Sequence, residues 1–396
     1  MFLPLIFAVF QLLSVATGIN KPTLYFNAQD KIKADGYPVE IHQVTTEDGY
    51  ILEMQRIPYS PKNMESGSRP AVLMQHGLLA SSDNFVLADE NQALAYKAAD
   101  AGYDVWMGNN RGTFYSDKHV EYNIIDPRFW NFSITELAIY DLPASIDYIL
   151  DYTNQEKIHY VGHSQGTTIY FMLLSERPEY NAKIMCGYML APIVFLRNIK
   201  ISIALIAQIF GEPDPERFPF TSFAFLPRIK PINALLADLC AQPLLVPICK
   251  AVIGSYVGPI KVYTNNTLIP GLLANFPAGA SYNQVVHFSQ IVVSKEFRKF
   301  DWGSSTNLEM YGQKHPPNFD IQNIDAPTFF YYSNGDNLSS EKDVRFLMKS
   351  LNQKAVAGTK YYGDNNWNHF DYLAAEHLDI YLNLDILENM EKCKSL

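Results

Sequence analysis

Residues 158–176 read IHYVGHSQGTTIYFMLLSE. Ile158–Gly162 is a short apolar run of strand type, and Thr167–Glu176 reads as a helix. Between them, Gly162-His163-Ser164-Gln165-Gly166 matches G-x-S-x-G. A serine flanked this way at a strand-to-helix junction stands clear of the sheet on a sharp turn. The glycines permit that turn where larger side chains would clash. The N-terminus of the following helix favours developing negative charge. Ser164 is therefore the candidate nucleophile. The competing reading is a tight turn with an idle serine, and the test between them is whether the serine has partners.

A hydroxyl is a poor nucleophile at neutral pH and needs a base. In strand–turn–helix sites of this kind the acid and then the base follow the serine along the chain. Of nine histidines, only His369 and His377 lie beyond the apolar strand Thr328–Ser333. His377 falls in the helical run DYLAAEHLDIYL, whereas His369 sits in the loop GDNNWNHFD, so His369 is the expected base. His163, inside the turn, reads as packing. The acid belongs at a strand end, where a buried carboxylate orients the imidazole and stabilises its charged form. Asp336 follows Thr328–Ser333 directly; Asp325, Asp343 and Asp364 are placed as solvent-facing or capping residues. The tetrahedral intermediate needs backbone donors. These are expected from Gln165, next to the serine, and from Leu78 in the loop His76-Gly77-Leu78-Leu79 after the strand AVLMQ.

Outward from this centre, short apolar strands alternate with helices. Pro38–Pro58 reads as a hairpin turning at Glu47-Asp48-Gly49. Ala71–Gly77, Tyr103–Met107, Ile158–Gly162, Ile184–Ala191, Thr328–Ser333 and Lys360–Tyr362 read as strands. Helices are expected over Asn84–Ala101, Ile134–Tyr152, Thr167–Glu176, Ser340–Leu351 and Tyr372–Leu384. The pattern indicates an α/β fold with a mostly parallel sheet covered on both faces. It is interrupted over residues 195–318, an apolar, proline-punctuated stretch read as a helical cap and lid inserted into the core. The core then comprises residues 19–194 and 319–396.

The chain has 396 residues, 48% of them hydrophobic and 18% charged, which excludes a disordered protein. A net charge of −10 with no basic run argues against nucleic acid as a partner. Residues 1–18, MFLPLIFAVFQLLSVATG, read as a secretory signal peptide, too short for a membrane span of about 20 residues. A secreted or lysosomal protein with no stable transmembrane anchor is expected, and a monomer. Four cysteines allow three full pairings. Cys240 and Cys249 enclose the short loop AQPLLVPI and form the plausible disulfide. Cys186 reads as a small buried hydrophobe, and Cys393 as free or paired. Sequons at Asn131 and Asn265 are candidate glycosylation sites, while that at Asn337 lies beside the expected active site. No zinc-type Cys/His spacing occurs, so neither metal nor cofactor is expected.

Several ordered segments carry a resemblance. They are GYPVEIHQVTTEDGYILEMQRIP, HGLLASS, GNNRGTFYSDKH, FWNFSITELAIYDLPASIDYIL, GHSQGT, FPAGASYNQVVHFSQ and the terminal NHFDY. Across nearly the whole mature chain the sequence resembles the acid lipase family, which includes gastric and lysosomal acid lipases. The resemblance implies an α/β-hydrolase core, a helical cap with a mobile lid, and hydrolysis of neutral lipid esters such as triacylglycerol or cholesteryl esters at a lipid–water interface. It places the triad on Ser164, Asp336 and His369, the oxyanion donors on Leu78 and Gln165, and the cap disulfide on Cys240–Cys249. The acid segment SNGDNLSS departs from the family's usual Asp, apolar pair and Asp-Pro. Ala80 stands where the family often has Asp, and the cap is the least similar part. Two other functions compete: a carboxylesterase acting on soluble esters, and a catalytically silent lipid-binding protein on the same fold.

Overall fold

The computed structural model describes residues 24, 27–64, 67–210, 222–261, 263–363 and 366–394. The expected signal peptide lies outside them. In chain order the strands are β1 (Glu40–Thr45), β2 (Tyr50–Ile57), β3 (Ala71–Gln75), β4 (Asp104–Gly108), β5 (Lys118–His119), β6 (Ile158–His163), β7 (Ile184–Leu190), β8 (Ala224–Phe225), β9 (Ala280–Ser281), β10 (Thr328–Tyr332) and β11 (Val356–Tyr361). The longer helices are α1 (Ala28–Ala34), α2 (Leu94–Asp100), α3 (Leu142–Thr153), α4 (Gln165–Glu176), α5 (Ile201–Phe210), α6 (Lys230–Cys240), α7 (Val246–Val257), α8 (Ile269–Asn275), α9 (Tyr282–Ser294), α10 (Ser304–Tyr311), α11 (Glu341–Ser350) and α12 (Leu384–Cys393).

The main sheet runs β1-β2-β4-β3-β6-β7-β10-β11, with β5 added beside β2. β1, β2 and β4 pair antiparallel, and every pairing from β4 to β11 is parallel. Strands β3, β4, β6 and β10 are buried at every position. Both faces are therefore covered, which is why these strands read as unbroken apolar runs. The two-residue period sorts their side chains into two cores. Leu73, Trp106, Tyr160, Met189 and Phe330 pack with α3 and α4 on one face. Val72, Val105, Val161, Tyr188 and Phe329 pack with α2 and α12 on the other.

The chain passes from β3 to β4 on one side and later returns to place β6 on the other side of β3. That reversal opens a crevice at the carboxyl ends of β3 and β6, where α/β sheets bind ligands. The helices and the β8–β9 pair between β7 and β10 occupy the stretch read as an inserted cap.

The departures from the sequence reading have identifiable causes. The helix expected over Asn84–Ala101 is a 3₁₀ turn, Ser82–Val86, followed by the separate α2. Pro143 sits in the first turn of α3, where its missing N–H costs nothing; a wide π turn, Leu137–Asp141, precedes it. The helix expected over Tyr372–Leu384 is broken. The N–H groups of Asn265 and Glu376 bond to the carbonyls of Ala374 and Tyr263, tying this segment to the chain after α7. His377 takes a left-handed φ of 60°, and its N–H bonds Gln92 Oε1. Cys186 is buried as expected, but it is not a free hydrophobe. It forms a disulfide with Cys393 that fastens α12 to β7. Cys240 and Cys249 form the second disulfide, joining the end of α6 to the first turn of α7.

Candidate active site

Ser164 occupies the junction of β6 and α4 with φ 54° and ψ −119°. Positive φ is uncommon for a residue with a Cβ and marks backbone strain held by its surroundings. Two flanking contacts hold it. A Cβ at Gly166 would stand 2.2 Å from the Gln75 carbonyl oxygen of the neighbouring strand. One at Gly162 would stand 2.9 Å from the Thr167 nitrogen. Thr167 then anchors the turn, its N–H (2.8 Å) and hydroxyl (2.6 Å) both donating to the Ser164 carbonyl.

The loop after β11 brings His369 to the serine, with Nε2 2.7 Å from Ser164 Oγ. Its Nδ1 lies 2.8 Å from Asp336 Oδ2, supplied by the loop after β10. The other carboxylate oxygen, Oδ1, accepts the backbone N–H groups of Leu338 (2.8 Å) and Ser339 (2.9 Å). A carboxylate this deeply buried is tolerable only when its oxygens are bonded, and here three donors serve it. With a carboxylate oxygen as acceptor on one side, Nδ1 of His369 carries the proton and Nε2 is left to accept from the Ser164 hydroxyl. Trp367, two residues before His369, stacks on Tyr362, ring centroids 4.2 Å apart and 4° from parallel.

Gly77 faces this group from the end of β3. A Cβ there would lie 2.9 Å from Ser164 Cβ, so only glycine lets that loop reach the serine. Leu78 follows it, and Leu79 is pinned where its carbonyl accepts the Ala278 N–H at 2.7 Å. Gln165 opens α4, so its backbone N–H is among the donors that a helix start leaves unmatched within the helix. Its side-chain oxygen accepts from Gln284 Nε2 at 3.2 Å, linking the serine turn to α9.

Two neutral imidazoles border the centre. Burial pulls His163 down to about 3, with the neighbouring His369 acting in the same direction. Burial brings His76 to about 4. His76 accepts the Asn110 N–H at Nε2, 3.1 Å away, so its proton resides on Nδ1, 2.7 Å from the Gly77 carbonyl.

The remaining sequence candidates fall elsewhere. Asp343 lies in the first turn of α11 and accepts from Asn198, and Asp325 accepts from Asn352. Asp364 is outside the described residues. Asn131 is exposed; Asn265 is half-buried, its side-chain oxygen capping the turn at Thr267. Among the described residues no cluster of His, Cys, Asp and Glu is arranged to hold a metal.

Sequence reasoning overlooked the fully buried Arg111, which pairs with Asp48 and Asp141 and lies 3.9 Å from the Tyr50 ring centroid. Burial pushes Asp141 up to about 6 against the pull of Arg111. The available signal was an arginine between glycines in GNNRGT, with no acidic residue beside it to pair the charge. Also overlooked was Asp371, which accepts the Asn368 N–H and the Thr264 hydroxyl beside His369.

Residues 28–89 match the family described as a partial alpha/beta-hydrolase lipase region, and residues 70–204 match the alpha/beta hydrolase fold. Lipase 3 of Drosophila melanogaster is 40% identical over 373 residues, covering 91% of this chain and 92% of its own. The chain belongs to the acid lipase family. Gastric triacylglycerol lipase of Rattus norvegicus is 37% identical, covering 93% of this chain and 90% of its own. Human lipase member N is 35% identical, covering 89% and 87%. A solved Sulfolobus solfataricus structure superposes with TM-score 0.57 at 15% identity, over 90% of this chain and 99% of that one, and speaks to the fold alone. Membership of the acid lipase family makes this protein an ester hydrolase of lipase type on an α/β-hydrolase fold. Among the described residues no helix is long and apolar enough to cross a membrane.

Proposed function

We propose that the protein hydrolyses neutral lipid esters, triacylglycerol or cholesteryl esters, through an acyl-enzyme on Ser164. His369 takes the Ser164 proton as Oγ attacks the ester carbonyl. Asp336 stabilises the resulting imidazolium and holds its orientation. The backbone N–H groups of Leu78 and Gln165 receive the oxyanion. The intermediate collapses, His369 protonates the departing alcohol, and the acyl group stays on Ser164. Water, deprotonated by His369, then releases the fatty acid and restores the serine. The observation that carries this reading is the continuous relay from Ser164 Oγ through His369 to Asp336 at the crevice of the sheet.

The substrate class rests on the cap. Ile232 and Leu236 lie four residues apart on α6, with Ile229 just before its start, and Ile248, Val252 and Tyr256 recur along α7, all exposed. Leu244, in the loop closed by Cys240–Cys249, is 90% exposed. Such a grouping of exposed apolar side chains marks an interaction surface, and a lipid–water interface is the partner that suits a water-insoluble ester. The protein acts as a monomer that is secreted or delivered to lysosomes behind the leader at residues 1–18, with glycans on Asn131 and Asn265.

Purified protein assayed on emulsified long-chain triacylglycerol, on cholesteryl ester and on a soluble short-chain ester, at acid and neutral pH, tests the reading. Ser164-dependent release from the emulsions is expected. Turnover of the soluble ester alone would make it a carboxylesterase, and silence on all three by folded protein a lipid-binding protein.

A further inference from the structure

Helix α7 ends between the two loops that carry the acid and the base. The carbonyl of Val257, its last residue, accepts the His369 N–H at 2.8 Å and the Asn337 N–H at 3.5 Å. Asn337 follows Asp336 directly, so one carbonyl touches the backbone of both loops. A second carbonyl of the same helix end, Gly254, accepts the Gly258 N–H and also the Asn337 side-chain amide at 3.5 Å. The last carbonyls of a helix have no partner within it and need one from outside. Here the outside partners come from the catalytic loops.

Gly258 makes the close approach possible. Its φ is +113°, and a Cβ would stand 2.3 Å from the Gly335 carbonyl oxygen and 3.0 Å from Asn368 Cβ. Gly335 precedes the acid and Asn368 precedes the base. The chain beyond continues the clamp. Asn368 Nδ2 donates to the Pro259 carbonyl at 3.4 Å and to Thr264 Oγ1 at 3.1 Å. Thr264 in turn donates to Asp371, whose carboxylate holds the Asn368 N–H at 2.7 Å. The other end of α7 is fixed by Cys249 to α6.

We propose that the α7 terminus, with Gly258 as the positioning residue, sets the register of the Asp336 loop against the His369 loop. This rests on the triad reading above. The cap thereby takes part in aligning the acid and the base. A catalytic group displaced by about 1 Å loses on the order of 100-fold in rate, and the contacts at Gly258 leave less room than that. The same helix carries Ile248, Val252 and Tyr256 on its exposed face.

The experiment compares wild type, Gly258→Ala and Thr264→Val in steady-state hydrolysis of a soluble short-chain ester. It also reads the fluorophosphonate labelling rate per folded molecule, with thermal melting as the fold control. Gly258→Ala is expected to lose on the order of 100-fold in kcat with KM within about twofold, and to be labelled correspondingly slowly. Thr264→Val is expected to lose less, in the same direction and with the same split. Wild-type kcat in a folded Gly258→Ala variant overturns the proposal. Should Gly258→Ala not fold, Thr264→Val decides: slower labelling at unchanged KM supports the clamp, and wild-type labelling overturns it. Failure of the underlying triad looks different, since Ser164→Ala would then still hydrolyse the ester, and the proposal would fall with it.

Discussion

The imidazole of His163 donates its Nε2–H to the backbone carbonyl of His369, 2.9 Å away, and the two rings lie 5.1 Å apart. A carbonyl can only accept, so the donor assignment is fixed. Burial keeps His163 neutral down to about pH 3, so the bond survives in acid. Losing one hydrogen bond costs about 1 kcal/mol; the resulting slack in the base should cost more. His163→Phe is expected to lower kcat by roughly 10- to 100-fold with little change in KM. His163→Gln, which keeps an amide donor, should recover part of that loss. Equal kcat in both variants would remove the hydrogen bond from the argument.

Stability should fall with acid, and buried histidines give the sign. Burial pulls His287 from 6.5 to about 4, while its Nε2 donates to the Arg298 carbonyl. The unfolded chain takes up a proton near 6.5, and the folded protein only near 4. The contribution is therefore complete above pH 6.5 and lost as pH falls toward 4. Asp371 acts oppositely: burial pushes its carboxyl up to about 6, so folding gains as pH falls from 6 toward 3.8. Urea melts at pH 7 and pH 4.5 should show His287→Gln losing less stability than wild type, by up to about 3 kcal/mol. Identical losses would contradict the assignment.

The Cys186–Cys393 disulfide closes a loop of 207 residues between β7 and α12. Restricting so long a loop in the unfolded chain stabilises the fold by about 5 kcal/mol in the chain-entropy model, with measured values more often 2–4 kcal/mol. The double variant Cys186→Ala/Cys393→Ala should unfold at lower denaturant yet keep its activity at 25 °C, since neither sulfur touches the site. An unchanged denaturation midpoint would show that the crosslink contributes nothing.

Adsorption to lipid should depend on the exposed face of α7. Burying a Val or Ile side chain stabilises by about 1.5–3 kcal/mol. Ile248→Ser with Val252→Ser should therefore weaken binding to an emulsion by at least roughly tenfold. Turnover of a soluble ester should hold within about twofold. Parallel loss on both substrates would mean that the face supports folding rather than docking.

The centre of the fold was legible because a sheet covered on both faces leaves apolar runs, and because Gly162 and Gly166 mark a turn that must be tight. Counting histidines beyond β10 singled out His369 as the candidate base, and the end of that strand singled out Asp336 as the candidate acid. What stayed hidden depends on distant partners. Cys186 looked like any buried thiol, because its mate lies 207 residues away. The helix break near His377 arises from backbone bonds to Tyr263 and Asn265, which no local propensity reveals. Arg111 and Asp141 are charged residues whose burial shows only once their partners meet. Gly258 carries no motif, and its role follows from a carbonyl of another loop 2.3 Å from where a Cβ would stand.

Peptide mapping of the fluorophosphonate-treated protein tests the role of Ser164 most directly. A single adduct on the peptide containing Ser164 is expected, together with its loss in His369→Ala. Ser164→Ala should lose on the order of 10⁵- to 10⁶-fold in kcat while keeping its fold. An adduct on another serine, or hydrolysis undiminished in Ser164→Ala, would contradict the assignment.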